Sequence, residues 1–199
     1  MAFFSWPSKA SGPLSYASDG DAMAASEDAL TKRLILIRNS FSGARCHILA
    51  HSMGNRGLLR ALNSATYRAQ IYGLKCVQIF LTAPDIDVAL FRQLAHVFPS
   101  VAENTTLYIS CVDKALRISE ELRQNERIRY CPPVTIVNGV HTIEVTAIDV
   151  GLLGHSYFAE AAGVLNDMRT LLESNKSPGE RQRLAGAFTP DGSKYWRAS

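Results

Sequence analysis

The feature that most constrains the fold is an alternation of short apolar segments with longer segments of helical periodicity. The apolar segments are short enough to be buried strands, whereas the segments between them repeat their apolar residues every three to four positions. The predicted strands are 46–50, 75–82, 105–110 and 141–146, and the predicted helices are 21–38, 55–68, 87–97, 113–124 and 156–174. Strands and helices that alternate in this way form right-handed βαβ units. The sequence therefore predicts an α/β fold with a mostly parallel sheet flanked by helices.

The two ends of the chain lack this alternation. Residues 3–6 are mostly aromatic and predict a short strand that ends at Pro7, before a loop rich in Gly, Ser and Pro. Residues 175–199 are polar and predict a surface extension on which Tyr195 and Trp196 dock. Because no internal repeat or second domain is visible, we interpret residues 1–199 as one domain with a C-terminal extension from residue 175.

The clearest chemical signal lies where the 46–50 strand meets the next helix. Ala50-His51-Ser52-Met53-Gly54 has the small-x-Ser-x-Gly pattern of a nucleophile elbow, a turn so tight that its flanking residues must be small. Such a turn exposes the serine hydroxyl and directs the N-terminus of the helix at a developing oxyanion. We therefore predict Ser52 as a nucleophile and the Met53 backbone N–H as an oxyanion donor. The alternative is an ordinary helix N-cap.

A serine nucleophile needs a histidine base, and after such an elbow the acid and then the histidine follow in the chain. His155 lies in a loop framed by Gly151 and Gly154, between the last predicted strand and the last predicted helix. We predict His155 as the base. The remaining histidines lie on predicted strands or helices or in the elbow itself, and they are His47, His51, His96 and His141.

Two aspartates are candidates for the acid that orients the histidine. Asp113 follows the 105–110 strand, and Asp85 follows the 75–82 strand. The later strand is the commoner source of the acid, so Asp113 is the first choice and Asp85 the alternative. Either residue, like Asp87, is also a candidate helix N-cap. A cap and a catalytic acid occupy the same strand end, so the two roles are compatible.

Composition limits the classes of partner. The 21 Lys and Arg against 18 Asp and Glu give a net charge of only +3, which does not favour nucleic acid. No apolar run is long enough to span a bilayer, and the first residues do not resemble a secretory signal. The four cysteines include no Cys-x-x-Cys pair, so we predict no metal site and no cofactor. Buried cysteines slightly favour a reducing compartment, and we therefore expect a cytoplasmic protein.

Several blocks together resemble a bacterial family of α/β hydrolases catalogued as domain of unknown function nine hundred. The resemblance covers residues 4–168 and is carried by residues 4–8, 47–56, 83–87, 113–116 and 151–158. It implies an esterase- or lipase-like serine hydrolase that cleaves ester bonds through an acyl-enzyme. It also implies Ser52 as nucleophile, His155 as base and Asp113 as acid. Because no insertion between residues 82 and 155 is long enough to be a large lid, we expect small or medium substrates.

The sequence departs from that family at its beginning. Family members start with a strand and a His-Gly-Tyr-like loop that supplies a second oxyanion N–H, and both are absent here. We therefore expect a partial domain that lacks N-terminal strands, and one missing oxyanion donor typically costs ~10²–10³ in kcat. The apolar 46–50 strand should be covered by residues 3–6 or become an exposed edge. An impaired hydrolase-derived fragment, or a binding domain without activity, is the alternative function.

Overall fold

A computed structural model describes residues 1–7, 15–41, 43–64, 67–110, 128, 131, 133–145 and 162–198. The helices in these residues are α1 Ser15–Ala25, α2 Glu27–Ser40, α3 Gly54–Leu62, α4 Arg68–Tyr72, α5 Val88–Leu94, α6 Phe98–Val101 and α7 Ala162–Ser174. Two 3-10 turns cover Ala95–Val97 and Pro178–Glu180. The strands are β1 His47–His51, β2 Cys76–Thr82, β3 Ala102–Ser110, β4 His141–Val145, β5 Leu184–Phe188 and β6 Lys194–Ala198.

These strands form one six-stranded sheet in the order β1-β2-β3-β4-β6-β5. All neighbouring strands are parallel except β5, which runs antiparallel to β6. The predicted α/β class with a mostly parallel sheet is therefore confirmed. The register places His51 opposite Thr82, Thr82 opposite Tyr108, and Tyr108 opposite Ile143. The carboxyl ends of β1 to β4 consequently meet along one edge, where such sheets bind their ligands.

Apolar side chains cover both faces of the sheet. Alternate residues of β2 point to opposite faces, so Ile79 and Leu81 join one core cluster and Phe80 joins the other. The first cluster includes buried residues of α3 and α5, and the second includes Met168 and Leu171 of α7. Every residue of β2 is buried as a result. The mostly apolar composition that predicted this strand is explained by burial on both faces, and the one buried amide within it, that of Gln78, donates to Thr106 Oγ1 at 2.6 Å.

The helices differ from their predicted bounds where a local contact interrupts the periodicity. The predicted 21–38 helix is divided into α1 and α2, which meet at Ser26. The helix after the elbow ends at Leu62, where Asn63 donates from its side chain to the Leu59 carbonyl oxygen. Asp87 caps α5 by accepting a hydrogen bond from the Leu90 N–H. The predicted 113–124 helix lies outside the described residues, as does the start of the predicted 156–174 helix.

Two predictions for the chain ends are wrong. Residues 3–6 form no strand. The Trp6 ring instead lies beside Gly54, so close that a Cβ atom at position 54 would be 3.7 Å from the ring. Phe3 is 86% exposed. The C-terminal residues are not a surface extension, because β6 pairs with β4 and continues the sheet. Tyr195 of β6 is buried, which explains why the strand docks.

β1 is an edge strand in the part of the chain that the structure describes. It pairs with β2, and no described strand lies on its other side. Leu49, in the middle of β1, is 62% exposed. Of the two arrangements expected for the 46–50 strand, the exposed apolar edge is therefore the one observed.

The described cysteines differ in their bonding state. Cys46 and Cys76 are free, whereas Cys131 is buried and disulfide-bonded, a pairing that the sequence pattern did not indicate. Among the described helices, none combines the length and the apolar character needed to cross a bilayer.

Candidate active site

The connection between β1 and α3 is a two-residue turn. β1 ends at His51 and α3 begins at Gly54, so Ser52 and Met53 alone join them. Ser52 has a φ of 50°, in the left-handed region that non-glycine residues seldom adopt. Strained backbone of this kind persists where the surroundings hold it, and it is typical of the serine in a nucleophile elbow. The half-buried Ser52 therefore has the backbone geometry that the sequence pattern predicted.

Hydrogen bonds fix this turn to the end of β2. The Ser52 N–H donates to the Thr82 carbonyl oxygen over 3.1 Å. The Ser52 carbonyl oxygen accepts from the Asp85 N–H at 3.2 Å and from the Asn55 N–H at 3.1 Å. Both backbone polar groups of the strained residue are thus used. The orientation of Ser52 is determined by β2 as well as by its own strand and helix.

Asn55 is a site residue that the sequence reasoning missed. Its side chain is fully buried, and Nδ2 donates to the Ser52 carbonyl oxygen at 2.9 Å and to the Thr82 carbonyl oxygen at 3.0 Å. Among the residues that the structure describes, none bonds to Oδ1. An asparagine in the first turn of an otherwise apolar helix is a poor helix former, and this was the available signal. Asn55 connects the elbow directly to the end of β2.

Met53 lies at the N-terminus of α3, where helix N–H groups are unpaired and the helix dipole is positive. Among the described residues, no acceptor takes the Met53 N–H. The Met53 residue itself is buried. Ala50 and Gly54 flank the turn, Ala50 buried and Gly54 in contact with Trp6. The small residues required by the pattern are therefore enclosed on both sides.

The structure brings one of the two candidate acids to the elbow. Asp85 is buried beyond the end of β2, and its N–H contacts Ser52 as described above. Asp113 and His155 lie outside the described residues. The chain leaves β3 at Ser110 and β4 at Val145, which pair with each other two residues beyond the positions in register with His51 at the end of β1. Both exits are on the sheet edge that carries Ser52.

The other histidines occupy different places. His47 begins β1 and His141 begins β4, so both lie at the amino ends of their strands, opposite to Ser52. Burial and the nearby Arg45 lower the pKa of His47, while burial and Arg181 lower the pKa of His141. His96 is exposed on a 3-10 turn. His51 ends β1 and directly precedes Ser52. The choice of His155 as the base stays a prediction.

A mostly parallel sheet, helices on both faces and a strained serine between a strand and a helix define the class of α/β hydrolases. The chain belongs to the family described as alpha/beta hydrolase of unknown function (DUF900), whose family model matches residues 1–174. No curated protein and no solved structure matches the chain. The matched range ends with the last residue of α7, so the β5–β6 hairpin lies beyond it.

Proposed function

We propose that this α/β hydrolase cleaves carboxylic esters through a covalent acyl-enzyme on Ser52. The observation that carries the proposal is the positive φ of Ser52 within a two-residue strand-to-helix turn. That conformation is costly for serine, and Ser52 lies directly after β1, at the carboxyl end of the sheet. Membership of an α/β-hydrolase family supports hydrolytic chemistry at the same position.

The proposed reaction has two steps. His155 accepts the proton of the Ser52 hydroxyl while Oγ attacks the ester carbonyl carbon, and the Met53 N–H stabilises the oxyanion. His155 then returns the proton to the departing alcohol, which leaves an acyl group on Ser52. In the second step His155 activates a water molecule, the acyl group leaves as a carboxylic acid and Ser52 is regenerated.

Asp113 is the proposed acid that orients His155. The acid has to reach the imidazole nitrogen remote from Ser52. A residue after β3 starts one strand further from the elbow than a residue after β2, which favours Asp113. Asp85 remains the alternative because its backbone already contacts the elbow. The proposed substrates are esters of small or medium size, and no metal or cofactor takes part.

A fluorophosphonate probe tests the proposal, because only an activated serine reacts rapidly with it. Trypsin cleaves after Arg45 and Arg56, and the 46–56 peptide contains Ser52 as its single serine. We expect the label on this peptide and none on the Ser52→Ala variant. Ser40→Ala, which changes an exposed serine at the end of α2, is the matched control and should label normally.

Hydrolysis of a p-nitrophenyl ester with a short acyl chain completes the test. Rapid labelling with turnover supports the esterase, and turnover should disappear in Ser52→Ala. Labelling without turnover would indicate an impaired hydrolase. A folded chain with neither labelling nor turnover would contradict the proposal and leave the binding domain as its function.

A further inference from the structure

Two free thiols face each other at the amino ends of β1 and β2. Cys46 directly precedes β1, Cys76 is the first residue of β2, and their Sγ atoms are 3.6 Å apart. The Cys46 carbonyl oxygen accepts a hydrogen bond of 2.8 Å from the Val77 N–H, which fixes the two backbones beside the thiols. A disulfide needs an S–S distance of ~2.05 Å, so the sulfur atoms have to approach by roughly 1.5 Å. Rotation of the two side chains can supply such a movement.

The two thiols have unequal environments. Cys46 is half-buried, whereas Cys76 is fully buried and donates its S–H to the Cys46 sulfur. That hydrogen bond lowers the pKa of Cys46 to about 7. The pKa of Cys76 is raised, mainly because Cys76 donates this hydrogen bond, and also because the thiol is buried and lies beside the charge on Cys46. The accessible thiol therefore has the thiolate character and the buried one keeps its proton, so Cys46 is the nucleophile.

We propose that Cys46 and Cys76 form an oxidisable dithiol, which hydroperoxides convert into a disulfide between β1 and β2. The Cys46 thiolate attacks the hydroxyl oxygen of the peroxide bond and becomes a sulfenic acid. The other oxygen leaves as an alkoxide, or as hydroxide from hydrogen peroxide, and takes from the solvent the proton that Cys46 had released, which gives an alcohol or water. The Cys76 sulfur then attacks the Cys46 sulfur and displaces hydroxide, which takes the Cys76 proton to form water. Two thiols thus lose two electrons and two protons, and the peroxide is reduced.

The disulfide would close the loop that contains the elbow. Residues 46–76 include β1, Ser52, α3 and α4. Within the described residues β2 is the one strand that pairs with β1, so separation of the two strands is a route to local opening. A covalent bond at the start of both strands restricts that opening. The bond lies at the opposite end of β1 from Ser52, so it restrains the elbow segment without occupying the proposed active site.

Peptide mapping of the oxidised full chain tests the proposal. The native protein is treated with hydrogen peroxide, blocked with iodoacetamide and digested with trypsin without reduction. Cleavage after Arg45 and Lys75 gives the peptides 46–56 and 76–92, each with one cysteine at its N-terminus. We expect a linked species that is two hydrogens lighter than the sum of the two peptides. Two outcomes would overturn the proposal: oxidation of Cys46 to a sulfinic or sulfonic acid, or recovery of both peptides in alkylated form.

Two variants test the assigned order of reaction. Cys76→Ala should stop at the Cys46 sulfenic acid, which dimedone traps. Cys46→Ala should leave Cys76 unreactive in the native chain and reactive after unfolding in guanidinium. Should either variant not fold, limiting iodoacetamide on the native wild-type chain gives the same answer, since Cys46 should be alkylated before Cys76. Equal or reversed reactivity would contradict the assignment.

This inference does not depend on the proposed hydrolase activity. Ser52→Ala leaves both thiols in place, and it should form the same linked peptide as the wild-type chain. A negative result in the esterase test therefore does not affect the dithiol proposal, and a negative result in the dithiol test does not affect the esterase proposal.

Discussion

The two edges of the sheet are built differently. β1, at one edge, has the Ile48-Leu49 pair of a strand suited to a sheet interior, yet Leu49 is 62% exposed. β5, at the other edge, is an antiparallel hairpin strand of the sequence Leu-Ala-Gly-Ala-Phe, and Pro190 follows shortly after it. Small residues and a nearby proline make a poor template for pairing with another strand. The β1 edge is thus an apolar strand next to the elbow, whereas the β5 edge is poorly suited to pair with a further strand.

The β5–β6 edge also has a buried polar anchor. Arg181, just before β5, is 4% exposed, and its Nη1 donates to Asp167 Oδ2 of α7 at 2.9 Å. The Tyr108 hydroxyl of β3 donates to the same oxygen at 2.7 Å. At the surface, Arg197 of β6 pairs with Glu144 of β4. This edge is thus joined to the body by charge pairs, whereas the β1 edge is held by backbone hydrogen bonds around the elbow and by the uncharged side chain of Asn55. The comparison predicts that substitutions at β1 affect activity and substitutions at β6 affect stability.

The largest expected effect concerns the acid proposed to work with Ser52. Asp113→Asn should lower ester turnover by about 10⁴, because an amide stabilises the wrong imidazole tautomer. Asp85→Asn, the matched control, should have a much smaller effect. The measurement is kcat for a p-nitrophenyl ester. If Asp85→Asn is the more damaging change, the role of acid belongs to Asp85.

The next effect concerns the buried Arg181–Asp167 ion pair at the β5–β6 edge. Asp167→Asn leaves the buried Arg181 guanidinium without its counter-charge, and it should lower the free energy of unfolding by about 3–5 kcal/mol. Adding Arg181→Met to this variant should recover part of the loss, because no charge is then buried alone. Glu173→Gln breaks the exposed Arg169–Glu173 pair of the same helix and is the control, with no measurable change expected. Chemical denaturation measures all three.

An equal loss from Asp167→Asn and Glu173→Gln would show that the buried pair does not anchor this edge. A loss of ester turnover in Asp167→Asn at temperatures where the chain stays folded would contradict the separation of activity and stability between the edges.

A third prediction separates positioning of the elbow from simple stability. Asn55→Ala removes two side-chain hydrogen bonds and should cost about 1–3 kcal/mol. Because the removed bonds hold Ser52, kcat should also fall by up to about 10²-fold while KM changes little. Asn63→Ala is the matched control at the other end of α3. Its amide also donates to two carbonyl oxygens, those of Leu59 and Leu94, but neither belongs to the elbow.

Both variants should be destabilised, and only Asn55→Ala should lose kcat. Asn55→Gln, which keeps the amide on a longer side chain, should recover part of the turnover if positioning is the cause. Parallel losses of kcat in Asn55→Ala and Asn63→Ala would reduce Asn55 to a structural residue.

The sequence predicted those parts of the fold that depend on local pattern. β2 was expected over 75–82 and extends over Cys76–Thr82, because burial on both faces favours a mostly apolar segment. The elbow was also predictable, since the small residues around Ser52 reflect steric limits within five consecutive positions. Asn55 was missed because one of its partners, Thr82, lies 27 residues away in the chain.

The chain ends were mispredicted for a related reason. The aromatic residues 3–6 have strand propensity, but a strand also needs a partner, and Trp6 contacts the elbow helix instead. The β5–β6 hairpin had a local signal in Pro190-Asp191-Gly192, a turn sequence whose glycine has a φ of 85°. Its flanking segments are rich in small and charged residues, which conceal the alternation of a strand. Pairing of β6 with β4 is a long-range event that propensity does not report.

The smallest expected effect on stability tests the exposure of the two edges directly. Leu49→Lys places a charge on the exposed middle of β1, and Phe188→Lys does the same on β5, where Phe188 is 67% exposed. Exposed substitutions of this kind change stability by about 0.5 kcal/mol or less. Self-association should nevertheless fall clearly in Leu49→Lys, because a charge on an apolar edge prevents pairing with another strand. Phe188→Lys should change association little, since β5 is already blunted. Sedimentation velocity at several concentrations measures the self-association of both variants. If self-association decreases as much or more in Phe188→Lys, the chain associates through the β5 edge and not through the β1 edge.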